Sequence, residues 1–287
     1  MNLSHKDDPK MLPEHNFYKY FGQAITEIFH YFRRKVKWYQ RTQRFLESIR
    51  GLPEHFNAVN KIVEQYIPIW KTLKTYSNGY ICFHIYTIFY SMLKDPEYYK
   101  LCQYDRNVLL WAVLLHDICK RGPPAVPGKD PIHPFKSAWQ SLYYFNDIFK
   151  FTDLSKEDLK EWDQIFESGY INKHGVEVQN HGIVPLVKLF LDTKLKGKDF
   201  EKEVIYHVML HQSVPTIAMF PHMSMLRPLN TEVPKYFDKR SIRVFRIFLR
   251  HDSFSYLLYF PEMKVKFGKE IDKNVDILEQ YIQEYKN

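Results

Sequence analysis

The sequence predicts an all-α fold, a single helical bundle, on three observations. Apolar residues recur at three- and four-residue steps through most of the chain, and strict alternation over strand length is hard to find. Aromatic residues make up 17%, from 22 Phe, 21 Tyr and 5 Trp, and such wide side chains pack most easily between helices or around a cavity. The 287 residues allow one large domain or two small ones. No stretch rich in Gly, Ser or Pro divides them, and no period of about 20 to 50 residues repeats, so residues 1–287 read as one domain. With 45% hydrophobic and 26% charged residues and only 10 Gly and 16 Pro, disorder and fibrous classes are excluded.

Taken in order, Phe21, Ile25, Ile28, Phe29, Phe32 and Val36 mark one helix, and Val59, Ile62, Val63, Tyr66 and Ile67 another; together they form an N-terminal helical extension over 17–70. Further helices are expected over 80–94, 106–120, 135–150, 155–168, 183–195, 201–213, 241–259 and 269–285. Breaks fall at Gly51 to Pro53, Asp95 and Pro96, Arg121 to Pro134, Gly169, Gly197, Pro215 to Pro234, and Pro261. Thr75 to Leu93 carries no formal charge, yet Ser77, Asn78, Gly79 and His84 interrupt it and would be costly in lipid. It reads as a buried helix, with no membrane partner. In the last segment, Ile271, Val275, Leu278 and Ile282 with Glu and Lys between them describe an amphipathic helix that packs on the bundle.

Forty-one Lys and Arg against 33 Asp and Glu give a formal charge of +8, which favours an anionic partner. Cys82, Cys102 and Cys119 have no CxxC spacing and do not resemble a disulfide framework. Met1 to Lys10 lacks the apolar core of a secretion signal. A reducing, cytoplasmic location is the expectation.

The strongest local signal is Leu114-Leu115-His116-Asp117-Ile118-Cys119-Lys120, closing the apolar run Val108 to Leu115. An imidazole, a carboxylate and an ammonium at the end of a hydrophobic helix are costly unless paired. A metal would resolve this, since adjacent residues on a helix point about 100° apart and His116 and Asp117 can both lean toward one ion. The plain alternative is a capped helix end with an Asp117–Lys120 salt bridge. Cys119 reads as a small core residue. Other candidate ligands follow in helical context. His84 lies in the preceding helix, His133 opens the helix after a loop with five prolines, His211 ends a later helix, and Asp252 lies near the C-terminus. Each has a competitor reading: His84 as a core histidine, His133 as a loop residue, His211 against His207, His174, His181 and His222, and Asp252 against His251.

This order resembles the HD-domain superfamily of metal-dependent phosphohydrolases. "LLHDICK" is similar to that family's "LLHDxGK" element with Cys119 in place of Gly, "HPFKSA" is similar to its His-Pro-x-x-Ser-Ala helix start, and "FLRHDSFSYL" is similar to its closing Asp helix. The resemblance covers about 80–255, and it implies an HD-type helical bundle with added N- and C-terminal helices. It assigns His84, His116, Asp117 and Asp252 to one metal, and His133 and His211 to a second, with Asp117 bridging. The stretch between His133 and His211 is longer than in compact members. Imidazole with carboxylate suits Fe, Mn, Co, Ni or Zn, and Mg fits the hydrolase reading.

The resemblance implies hydrolysis of a phosphate ester, with a nucleotide the expected substrate class, by water activated on one or two divalent ions. Asp117 and Lys120 would be catalytic, and Lys120, Arg121 and Lys136 would bind substrate phosphate, with Lys129 a further candidate. Two alternatives remain. One is a di-iron oxygenase resembling myo-inositol oxygenase. The other is a nucleic-acid-binding protein with a degenerate site, using Arg33, Arg34, Lys35, Lys37, Arg41 and Arg44 with Trp38 and Tyr39 interleaved. A second basic stripe, Arg240, Arg243, Arg246 and Arg250, is expected to face away from Asp252.

Overall fold

The computed structural model describes residues 10–12, 14, 61, 64, 79–120, 132–170, 183–212, 233–255 and 261–286. Among these the fold is all-α with no strand. The elements are α1 Gly79–Met92, α2 Pro96–Tyr99, α3 Gln103–Leu115, α4 His133–Tyr143, α5 Lys156–Tyr170, α6 Ile183–Lys194, α7 Asp199–Leu210, α8 Val233–Tyr236, α9 Lys239–Ser255 and α10 Pro261–Lys286. No described helix is long and apolar enough to cross a membrane. Most of the N-terminal extension over 17–70, with its basic segment 33–44, lies outside the described residues, as do Arg121, Lys129, His174, His181 and His222.

Helix α3 is the centre of the bundle. Every residue from Val108 to Leu115 is at most 1% exposed, the pattern of a helix apolar on all sides, and α1, α4, α7 and α9 all pack on it. Burying each large aliphatic or aromatic side chain there contributes about 1.5–3 kcal/mol. Trp111 is the largest of them. Its ring meets Phe145, Phe149 and Phe151 at centroid distances of 6.1, 4.7 and 5.5 Å, while its Nε1–H donates to the Lys10 carbonyl at 2.8 Å. The three phenylalanines reach it because α4 runs on into a π-helical turn, Tyr144–Ile148, closed by Phe149 N–H donating to Tyr144 O at 2.8 Å. Wider turns of this kind shift the following side chains around the axis.

Helix ends follow their chemistry. Asp95 caps α2, its Oδ1 accepting from Glu97 N at 2.9 Å, with Pro96 in the first position. Ser155 and Asp158 cap α5 reciprocally, Asp158 N donating to Ser155 Oγ at 3.1 Å and Ser155 N to Asp158 Oδ2 at 3.0 Å. Gly197, at φ +80°, makes the left-handed turn between α6 and α7.

Several boundaries differ from expectation. Helix α3 ends at Leu115 and His116 to Cys119 form a turn, so the predicted 106–120 is too long at its end and starts three residues late. The two short helices α2 and α8 sit at positions read as breaks. Helix α10 begins at Pro261, eight residues before the predicted 269, because Pro is well suited to a first helical position. Further along α10, Ile271, Val275, Leu278 and Ile282 are 0–3% exposed. Helix α9 packs on α10 and joins it through Arg250 Nε to Asp272 Oδ1 at 2.8 Å and Arg246 Nη2 to Asp276 Oδ1 at 2.6 Å. Arg240 pairs with Asp105 and Glu203, and Arg243 is exposed. Three of the four stripe arginines therefore bind other helices.

Trp111→Ala is expected to cost about 3–5 kcal/mol. Urea unfolding followed by circular dichroism should show a lower midpoint at unchanged slope; an unchanged midpoint would mean that Trp111 does not organise the core.

Candidate metal centre

His116 is the C-cap of α3, His211 the C-cap of α7, and His133 the first residue of α4, while His84 projects from α1 and Asp252 from α9. Asp117 follows His116 in the turn. Five different helices, with Asp117 in the turn after α3, thus bring the six side chains to one place. His84, His116, Asp117, His133 and His211 are 0–2% exposed.

The geometry is organised around Asp117. Its Oδ2 lies 3.4 Å from His84 Nε2 and 3.6 Å from His116 Nε2, and those two nitrogens are 3.4 Å apart. Asp252 Oδ1 completes this half, 3.0 Å from His84 Nε2 and 3.6 Å from His116 Nε2. The other oxygen, Oδ1, lies 3.0 Å from His133 Nε2 and 3.9 Å from His211 Nε2, which are 3.2 Å from each other. Donor atoms held about 2.0–2.2 Å from one ion sit roughly 2.8–3.6 Å apart at octahedral or tetrahedral angles. These spacings fall in or near that range, and the groups His84, His116, Asp117 and Asp117, His133, His211 can each hold a metal ion.

Ring tautomers point the same way. His116 Nδ1 donates to Val113 O at 2.8 Å and His211 Nδ1 to Val208 O at 2.7 Å. In the neutral ring each Nε2 is then a bare lone pair aimed at the other donors. Both carbonyls belong to a last helical turn, where backbone acceptors lack helical partners. Such bonds to the far ring nitrogen orient ligating histidines. The ends of α3 and α7 also carry partial negative charge toward the site, which favours a cation.

Protonation favours electron-pair donation at both carboxylates, His84 and His211, and opposes it at His116. Burial alone would raise the Asp117 carboxyl, but His116, Lys120 and His133 hold it well below the usual range. Burial opposes ionisation of Asp252 too, and the adjoining His116 and His84 rings hold it well below the usual range. Burial pushes His84 down despite Asp252, and burial with the neighbouring His116 and His133 pushes His211 well down. His116 is raised, because Asp117 and Asp252 outweigh its burial. Buried Asp117 Oδ1 receives no well-aligned hydrogen bond among the described residues, although His133 Nε2 lies 3.0 Å away. A buried carboxylate oxygen in that state is costly, and a cation between it and the two imidazoles removes the cost. The residues fit a metal ion.

Lys120 Nζ is 2.6 Å from Asp117 Oδ2 with 20% of its side chain exposed, and Asp252 is 19% exposed. These two mark the side open to solvent. The Asp117–Lys120 salt bridge of the plain reading is present, and it coexists with the cluster. Lys136 is partly exposed, one turn into α4. Cys119 is partly buried against the core, its N–H donating to Ser137 Oγ of α4 at 3.2 Å.

The competitors separate clearly. His207 points elsewhere, its ring edge-on to Phe237 and Phe245 at 5.2 and 5.6 Å. His251 bonds Ser91 Oγ and Asp95 Oδ2 instead of joining the cluster. Two neighbours have no motif signal in the sequence. Gln212 Nε2 is 3.2 Å from His133 Nε2, and Phe248, fully buried, packs edge-on against His116 at 5.3 Å and tilted against His211 at 5.9 Å. One signal was available: Val113-Leu114-Leu115-His116 and Val208-Met209-Leu210-His211 share a pattern that ends in a ligand.

His207 gives a pH test separate from the centre. Burial pushes its pKa from 6.5 down to about 4. Between these values the unfolded chain binds a proton that the folded one excludes, so stability is complete above pH 6.5 and falls as the pH drops toward 4. The full loss is about 3 kcal/mol. His207→Phe should flatten the stability–pH slope in this window by that amount, measured by urea unfolding at steps between the two values; equal slopes would refute it. Comparison with protein-family models, with curated proteins and with solved structures finds no match to this chain.

Proposed function

We propose that the chain is a metal-dependent phosphohydrolase that cleaves a phosphate ester, in the manner of the HD-domain proteins its motifs resemble. The observation that carries this reading is the division of Asp117 between two histidine groups, with Lys120 at the solvent edge. One or two divalent ions, with Mn, Fe, Co, Ni or Zn matched to imidazole and carboxylate donors, would be held by His84, His116, Asp117 and Asp252 on one side and by Asp117, His133 and His211 on the other. An ion there supplies Lewis acidity toward phosphoryl oxygen and a lowered pKa for water.

The chain's own groups do the remaining work. Asp117, ionised and buried, orients both halves of the site. Lys120 presents its ammonium where an entering phosphate meets the carboxylate, so it exchanges Asp117 for phosphoryl oxygens whose negative charge it offsets. Lys136 adds positive charge one turn into α4. The formal charge of +8 favours a polyanionic ester, and a nucleotide is the substrate class that fits both this charge and the family resemblance.

Elemental analysis of the purified chain and a screen of nucleotides and phosphomonoesters test the reading. Wild type should contain metal and turn over at least one ester, and Asp117→Ala should lose both; retained turnover in the variant would sink the proposal. Two irons per chain together with oxygen consumption would move the chain to the oxygenase reading. Lys120→Ala should keep its metal and lose roughly 10²-fold in kcat. An unchanged kcat would remove Lys120 from the chemistry.

A further inference from the structure

Helix α9 carries a second buried imidazole next to Asp252. His251 is 2% exposed, and its two ring nitrogens are both used: Nδ1 lies 2.8 Å from Ser91 Oγ of α1, and Nε2 lies 2.9 Å from Asp95 Oδ2. A carboxylate accepts only, so Nε2 carries the proton and the neutral ring's Nδ1 accepts from the Ser91 hydroxyl. Asp95 is itself held, since its other oxygen caps α2. Serine, imidazole and carboxylate in a row would suit a nucleophile, but Ser91 is 6% exposed on the inward face of α1, so the row is a strut.

Its placement gives the strut a purpose. His84 and Ser91 stand seven residues apart, two turns along one face of α1. On α9 the adjacent residues Asp252 and His251 answer them in turn, Asp252 Oδ1 to His84 Nε2 at 3.0 Å and His251 Nδ1 to Ser91 Oγ at 2.8 Å. Successive helical residues are turned by about 100°, so fixing His251 at two points fixes the rotation of α9 and the direction in which Asp252 leaves it. We propose that His251, braced by Ser91 and Asp95, is a positioning residue that aims Asp252 into the metal centre. This inference rests on the metal reading above.

The test is Co(II) binding by the full chain, followed by titration and by the visible absorption bands that report coordination. His251→Ala should weaken binding about 10- to 100-fold, as is usual for groups that orient metal ligands, and shift the bands. Ser91→Ala, which removes one of the two bonds, should do the same to a smaller extent and keeps the test readable if His251→Ala folds poorly. Arg246→Ala, which loosens α9 from α10 instead, should lower the melting temperature with unchanged bands. The decisive comparison is a double-mutant cycle. In an Asp252→Ala background, His251→Ala should add no further loss of affinity, because it acts through Asp252. Additive losses, or unchanged bands in His251→Ala, would overturn the positioning role while leaving the metal centre standing. No Co(II) uptake by wild type would overturn the metal reading and this inference together.

Discussion

Electron-pair donors converging in a space without water repel one another unless positive charge stands between them. At this site four imidazole nitrogens and three carboxylate oxygens from six side chains approach within 3.0 to 3.9 Å of one another along the measured pairs. Five of the six residues are sealed from solvent. In such surroundings unit charges interact far more strongly than in water, and an unpaired carboxylate oxygen is expensive. The rest of the bundle is arranged so that this concentration of lone pairs persists.

Two kinds of support maintain it. The apolar one is α3, packed on by four other helices, so that the turn beginning at His116 issues from the most deeply buried element. The polar one is the set of arginines along α9. Arg246 and Arg250 tie that helix to α10, and Arg240 ties its start to α3 and α7 through Asp105 and Glu203. Surface ion pairs contribute little stability singly. Here their effect is geometrical, because they hold the outer side of the helix whose inner side delivers Asp252 and Phe248.

Much of this could be read from residue order. The buried run before His116, the steps Ile271, Val275, Leu278, Ile282, and the helix opening at His133 all follow from periodicity and turn chemistry. Helix ends were harder, since Pro261 and Pro96 serve both as breaks and as starts. Periodicity alone did not separate His211 from His207, because the two share a helix face; the resemblance assigned His211, and His207 packs on Phe237 and Phe245 instead. His251 was hidden for a similar reason. Its partners, Ser91 and Asp95, lie 160 and 156 positions away, and no local pattern reports a bond across that distance. Gln212 and Phe248 carry chemistry only through their neighbours.

The rings of His116 and His211 each hang on a carbonyl three residues upstream, in the final turn of their helices. Terminal turns fray first where they meet water; these two do not, since Val113 to His116 and Val208 to His211 are all 0–2% exposed. Each of the two carbonyls, which solvent would otherwise compete for, holds an imidazole instead. The tautomer of both rings is therefore guarded by the packing around two short stretches of chain.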